Sequence, residues 1–164
     1  YTYAAHGPEA GDKDSYTGAW LTNKKHGIGK QTYVGKGRYQ GYWEDGKRHG
    51  EGVFIYDNKD VYSGQWSNGQ KEGPGSYIFF ETGMKYVGEF KAGQMVKGEW
   101  RYKNGTRFAG NFDNNQPKGK GMWNFADGNK VEGVYKQVKR ADTEDVNAIK
   151  LSWNTTSDVS TMPQ

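Results

Sequence analysis

Closely spaced glycines and three histidines, His6, His26 and His49, are the residues of this 164-residue chain whose types could do chemistry. Pairs such as Gly50-x-Gly52 invite comparison with loops that cradle phosphate on backbone N–H groups at a helix N-terminus. Such loops read G-x-x-x-x-G-K-[ST], or G-x-G-x-x-G running into a helix; neither pattern occurs, and no helical period follows the glycines. His26 and His49 occupy equivalent places in "KKHG" and "KRHG" and could stand near one another. A metal site needs further ligands at recognisable spacing, and none is present. Acidic side chains are scattered, with no pair that spacing would bring together for acid–base work. The absence of Cys excludes thiol nucleophiles, thiolate sites and disulfides together, and suits a reducing compartment. Asn104-Gly-Thr and Asn154-Thr-Thr match the glycosylation sequon but have no secretory signal beside them. No catalytic, cofactor or metal site is therefore expected, and the chain reads as a non-enzyme.

The glycines have a different explanation. Tyr-x-Gly-x-Trp opens a unit at Tyr16, Tyr39, Tyr62, Tyr86, Phe108 and, weakly, Val131, with spacings of 23, 23, 24, 22 and 23 residues. Glycine stands two places after each start, and Trp20, Trp43, Trp66, Phe90, Phe112 and Tyr135 stand four places after. A Gly-x-Gly pair follows in each full unit except the fourth, which keeps only Gly98. Self-similarity at this period marks a stacked array of small structural units.

Within a unit the start, the glycine and the aromatic share parity, so in a strand they lie on one face. "EDGKRHG" (44–50) then breaks the alternation and reads as a loop between antiparallel strands. The second strand carries Phe54/Tyr56, Tyr77/Phe79, Trp100/Tyr102 or Trp123/Phe125 on the same face. Short turn-formers such as "DNKD" (57–60) and "ADGN" (126–129) link the units. The expected fold is all-β, an elongated single-layer antiparallel sheet of consecutive hairpins; at ~10 Å per hairpin it would be on the order of 50–60 Å long. The array covers 16–135. Residues 1–15 read as the end of a preceding repeat plus an acidic loop at 4–14. Residues 136–164 read as an extension with a docking strand at 149–153 and a flexible end.

Composition agrees. Only 33% of the chain is hydrophobic, yet it holds 25 glycines, six Trp, twelve Tyr and seven Phe. That suits a thin sheet covered by its own rings rather than a two-layer aliphatic core. No apolar run approaches the ~20 residues of a membrane helix. The net charge of +4 is too mild for a nucleic-acid footprint.

Candidate contact residues fall in three groups. Tyr39, Trp43, Tyr62 and Trp66 offer aromatic anchors on the even face. Val53, Ile55 and Ile78 form an aliphatic strip on the odd face, to be covered either by the chain's own tail or by a partner, and Trp153 marks the docking strand. Lys24, Lys25, Lys47, Arg48, Lys71, Lys118 and Lys120 would line one edge as a broken basic row. That row serves either to protect the sheet margin or to dock an acidic protein surface or anionic lipid headgroups.

With Y-x-G-x-W…G-x-G at this period, the chain resembles the MORN-repeat family over about residues 16–135. Catalytic members of that family append a large domain and junctophilins a membrane helix; neither is found in these residues. The stretch "ETGMKYVGEFKAGQ" (81–94), with its one-residue insertion, is similar to the radial spoke head MORN proteins of motile cilia. So is the degenerate unit after it, where Val96 stands in for the first paired glycine. The 4–14 loop and the tail after Lys136 depart from that pattern. The resemblance implies a non-catalytic structural scaffold of the radial spoke head, located in the cytoplasm as part of the cytoskeleton of the cilium or flagellum axoneme. Its implied partners are other radial spoke head proteins and copies of itself, with transient contact to the central apparatus and none with nucleic acid. The alternative is a peripheral tether whose basic loops bind anionic phospholipid.

Overall fold

The computed structural model describes residues 13–139 and 148–156. The readings made on the preceding-repeat remnant, His6, most of the 4–14 loop and the flexible end lie outside them. The described chain forms twelve strands: β1 (Ser15–Leu21), β2 (Lys24–Tyr33), β3 (Gly37–Glu44), β4 (Lys47–Tyr56), β5 (Val61–Ser67) and β6 (Gln70–Ile78). The second half continues with β7 (Lys85–Lys91), β8 (Gln94–Arg101), β9 (Arg107–Asp113), β10 (Gln116–Asn124), β11 (Lys130–Lys139) and β12 (Ile149–Thr155). Each strand pairs with its sequence neighbour, giving one open antiparallel sheet. Among the described residues no helix is long and apolar enough to cross a membrane.

The hairpin turns are tighter than the sequence reading supposed. Asp45-Gly46 (φ 46° and 80°), Asn68-Gly69 and Asn114-Asn115 are two-residue turns with both residues left-handed, the geometry that matches strand twist. The "KRHG" stretch is therefore strand β4, not loop. The tips of the second, third and fourth hairpins are tied to the preceding hairpin by backbone bonds: Gly46, Gly69 and Gly93 N–H donate to the carbonyls of Lys25, Arg48 and Lys71, all at 3.0 Å. The links between units repeat as well. Asn58, Asn104 and Asp127 side chains accept from backbone N–H two residues on, closing the same small turn each time.

Register aligns the recurring glycines into a ladder across the sheet. Gly18, Gly29, Gly41, Gly52, Gly64, Gly75, Gly88, Gly98, Gly110, Gly121 and Gly133 pair in succession, and Thr155 of β12 takes the last place. A Cβ on Gly41 would stand 2.5 Å from both the Tyr39 hydroxyl and the Gly52 Cα. The glycines are required because the opening ring of each unit, Tyr in the first four and Phe108 in the fifth, lies across its own pair. A bulge follows the pair in every unit, and Gly27, Gly50, Gly73 and Gly119 supply its left-handed residue. The shortened fourth unit pairs Glu89 with Lys97 and Phe90 with Met95, so Val96 alone is extra and no left-handed glycine is needed there.

The aromatic face as a candidate docking surface

The start and plus-four rings form one continuous file along the sheet. It runs Trp20, Tyr16, Trp43, Tyr39, Trp66, Tyr62, Phe90, Tyr86, Phe112, Phe108, Tyr135, Trp153, with successive centroids 4.7–5.9 Å apart. All but the last contact are edge-to-face, the arrangement the ring quadrupole favours at ~0.5–1.5 kcal/mol per pair beyond burial. Polar tips are satisfied by backbone. Tyr39, Tyr62 and Tyr86 hydroxyls donate to the carbonyls three residues on, at 2.8–3.0 Å, beside the bulge. Trp43 and Trp66 indoles donate to Gly29 and Gly52 carbonyls of the preceding unit, at 3.3 and 3.2 Å.

This corrects the first group of expected contact residues. Tyr39 and Tyr62 are 0% exposed, Trp43 2% and Trp66 4%, so they are the core of a one-layer protein and not free anchors. Their burial also governs their chemistry. Desolvation pushes the Tyr39, Tyr62 and Tyr77 phenols well above their ordinary range, with Asp60 adding to the effect at Tyr77; Tyr86 is pushed up to about 12. In the unfolded chain phenols ionise near pH ~10. Above that value the fold holds protons the unfolded chain has lost, so stability falls as pH rises. Lys25 and Lys71, lowered by burial, act in the opposite sense but are outnumbered. Alkaline titration is expected to show the buried phenols ionising in one cooperative step that coincides with loss of the near-ultraviolet dichroism. Gradual ionisation with the dichroism intact would contradict this account.

The second correction concerns the basic row. Lys25, Arg48 and Lys71 do not point outward from an edge. They pair across the hairpin with Trp20, Trp43 and Trp66, which places them on the aromatic face. Lys25 Nζ lies 4.9 Å from the Trp43 centroid, Arg48 Cζ 4.4 Å from Trp66, and Lys71 Nζ 5.1 Å from Tyr77. These are cation–π distances. Burial lowers the Lys25 and Lys71 ammonium groups from their ordinary values, and at Lys71 the Arg48 charge adds to it. Hydrogen bonds of the three go to neutral acceptors: Lys25 to the side-chain amide oxygen Oε1 of Gln31, Arg48 to Gly69 O at 2.7 Å, Lys71 to the Tyr56 hydroxyl at 3.4 Å. Lys24 and Lys118 instead pair with turn acids Asp45 and Asp113, at 3.3 and 2.6 Å. Only Lys47 and Lys120 of the expected row stand exposed without such a pairing, so no continuous basic edge exists. In the fourth and fifth units the place of the cation is taken by Met95 and Pro117, opposite Phe90 and Phe112. The signal for this was in the sequence, since Lys25, Arg48 and Lys71 recur at the repeat period nine places after each start. Only register could say that the position faces the rings.

On the opposite face Val53 and Ile55 are half-buried and Ile78 is 38% exposed. Val61 joins them, since Ile55 pairs with Val61 and Val61 with Ile78. The described part of the tail does not cover this strip. It forms β12, paired with β11 at the far end, where the Trp153 ring lies over Gly133 as each Tyr does over its own pair. The expected docking strand thus docks within the chain itself. His49 meets Glu44 at 3.2 Å and His26 packs edge-on to Tyr42, and no group of metal-ligating side chains forms among the described residues.

One donor is left over. Trp100 Nε1 is buried without a partner among the described residues. Trp123, one repeat later, bonds the Tyr135 hydroxyl. Phe112 holds the place equivalent to Tyr135, with its ring 5.2 Å from Trp100 but no hydroxyl. Phe112→Tyr is therefore expected to stabilise by about 1 kcal/mol, raising Tm by roughly 2–4 °C in a thermal melt. No gain would mean the hydroxyl finds no room beside the indole.

Comparison with known families finds the MORN repeat at residues 16–38, 39–61, 62–81, 86–107 and 108–130, more than half of the chain. No curated protein matches. Among solved structures the chain is similar to the TCP domain of SAS-4 (dCPAP) of Drosophila melanogaster, solved with a proline-rich motif of Ana2 (dSTIL). That likeness is 15% identical, covers 93% of this chain and 97% of that one, and has a TM-score of 0.35, too low to carry a functional argument.

Proposed function

The chain belongs to the MORN-repeat family, and from that premise we propose that it is a non-catalytic scaffold of the axonemal radial spoke head. MORN repeats build protein-interaction or membrane-associated scaffolds and are generally not enzymes. The observation that carries the reading is the sheet itself: its rings are engaged with one another and its glycines, leaving long faces and no enclosed reactive centre among the described residues. The spoke-head assignment is supported by the 81–94 insertion and the shortened unit after it. In this reading the protein holds fellow head subunits along its faces and presents a surface to the central apparatus in cilia or flagella.

The test is placement in the native organelle. A tagged chain expressed in ciliated cells should co-purify with isolated axonemes after membrane removal, and cryo-EM of those axonemes should place it at the spoke heads. Release of the chain with the detergent-soluble membrane fraction, together with salt-sensitive sedimentation on phosphatidylserine vesicles, would replace the scaffold with the lipid-tether reading.

A further inference from the structure

We infer that the aromatic face of the first three repeats binds an extended acidic polypeptide segment, with Lys25, Arg48 and Lys71 as its carboxylate-reading groups. The inference rests on the scaffold reading and names the chemistry of one partner.

Three observations point to it. First, the fold does not require these charges. Met95 and Pro117 fill the equivalent cross-strand place in the fourth and fifth units of the same sheet, both buried. Second, the three cations are held on the rings rather than left to wander in solvent, so little side-chain freedom remains to be lost on binding. Third, among the described residues none of them forms a salt bridge, although other lysines in the sheet do; the Asp14 carboxylate acts on Lys25 through its charge alone and does not offset the cost of its burial. Partly desolvated cations with neutral acceptors only, two of them repelling one another, are an unfavourable arrangement until an anion arrives. A free acid approaching this face meets that unsatisfied charge first.

The spacing selects the kind of anion. Equivalent positions in successive hairpins are two strands apart, hence ~10 Å. Groups that far apart cannot converge on one phosphate, which argues against a single lipid headgroup. A polypeptide in the extended polyproline II conformation rises ~3.1 Å per residue with about three residues per turn, so acids at every third position lie on one side ~9 Å apart and would meet all three cations while the chain crosses the strands. Beyond the third repeat this position carries no charge, being Met95 and then Pro117.

The probe is a synthetic peptide of about twelve residues with Glu at every third position and Pro or Ser elsewhere, labelled for fluorescence anisotropy against the full chain. Binding should weaken steeply with salt, and a peptide of the same composition with its Glu residues in one block should bind more weakly. The variant carrying Lys25→Met, Arg48→Met and Lys71→Met should retain the near-ultraviolet dichroism, on the precedent of Met95, and lose affinity by about tenfold or more. Unchanged affinity in that variant, or equal binding of the blocked peptide, overturns the inference. So does preferential binding to phosphatidylserine vesicles that the triple change abolishes while the spaced peptide stays unbound. If the triple change disturbs the fold, Arg48→Lys decides: it keeps the charge and should keep most of the affinity, whereas Arg48→Met should not. Failure here is separable from failure of the scaffold reading. A triple variant that still recovers the spoke-head proteins sinks this inference alone. A wild-type chain that binds the peptide but is absent from axonemes sinks the other alone.

Discussion

Gly52→Ala is expected to destabilise the protein by about 3 kcal/mol, the upper end of what one inserted methyl usually costs. The new Cβ would stand 2.5 Å from Cε2 and Cζ of Tyr39. The ring cannot step aside, because its hydroxyl is bonded to the Tyr42 carbonyl at 2.9 Å and its faces and edges meet Trp43 and Trp66. The strain therefore passes into the backbone or into two neighbouring units. Gly46→Asn is the control. Gly46 has φ 80° and open space around it, and Asn23 and Asn115 hold the equivalent turn place in the first and fifth units at φ 60° and 56°. That change should stay within about 0.5 kcal/mol. Urea unfolding of the two variants measures the difference directly. In a Tyr39→Ala background the cost of Gly52→Ala should shrink sharply, and additive costs would show that the ring is not what excludes the methyl.

Trp43→Ala should cost about 3–5 kcal/mol, as large aromatic truncations in cores do. More than burial is at stake. Trp43 packs edge-on against Tyr16 and Tyr39 at 5.4 and 5.1 Å, and its indole bonds the Gly29 carbonyl at 3.3 Å. All ties except Tyr39 lead to the first unit, so the loss falls on one interface between repeats. In an array whose units contact only their neighbours, a weakened interface divides the cooperative unit. Unfolding of the variant should separate into two phases, with amides of β1 and β2 exchanging hydrogen earlier than those of β5 to β10. Trp20→Ala makes the comparison sharp. It removes the same side chain from the same repeat position, but Trp20 is 59% exposed at the sheet edge, and the expected cost is below about 1 kcal/mol. Equal losses from the two changes would contradict an account built on contacts between units.

Much of this protein was legible without coordinates because its structure is one short pattern repeated. Period fixes unit boundaries, parity assigns Tyr39, Gly41 and Trp43 to one face, and a hairpin with a two-residue turn has few alternatives. Hence the all-β class and the sheet built of consecutive hairpins followed from residue order alone. What order could not show is where a side chain ends up when two equivalent residues in adjacent strands compete for the same space. Lys25, Arg48 and Lys71 read as an outward basic edge because they sit among turn-formers and are charged. A bulge around Gly27, Gly50 and Gly73 turns them onto the rings instead. Likewise Tyr39, Trp43, Tyr62 and Trp66 read as anchors for a partner because the sheet has one layer. Edge-to-face packing between hairpins, invisible within any one unit, buries them completely enough to serve as the core.

Residue order by itself thus determined the repeating strand, the turn and the glycine on which each ring rests, since these depend on contacts within some twenty neighbouring positions of one chain segment. Tertiary structure alone decided which polar and aromatic groups remain available to another molecule. That depends on register between hairpins, where the ring of one unit and the cation of the unit before it share a single site.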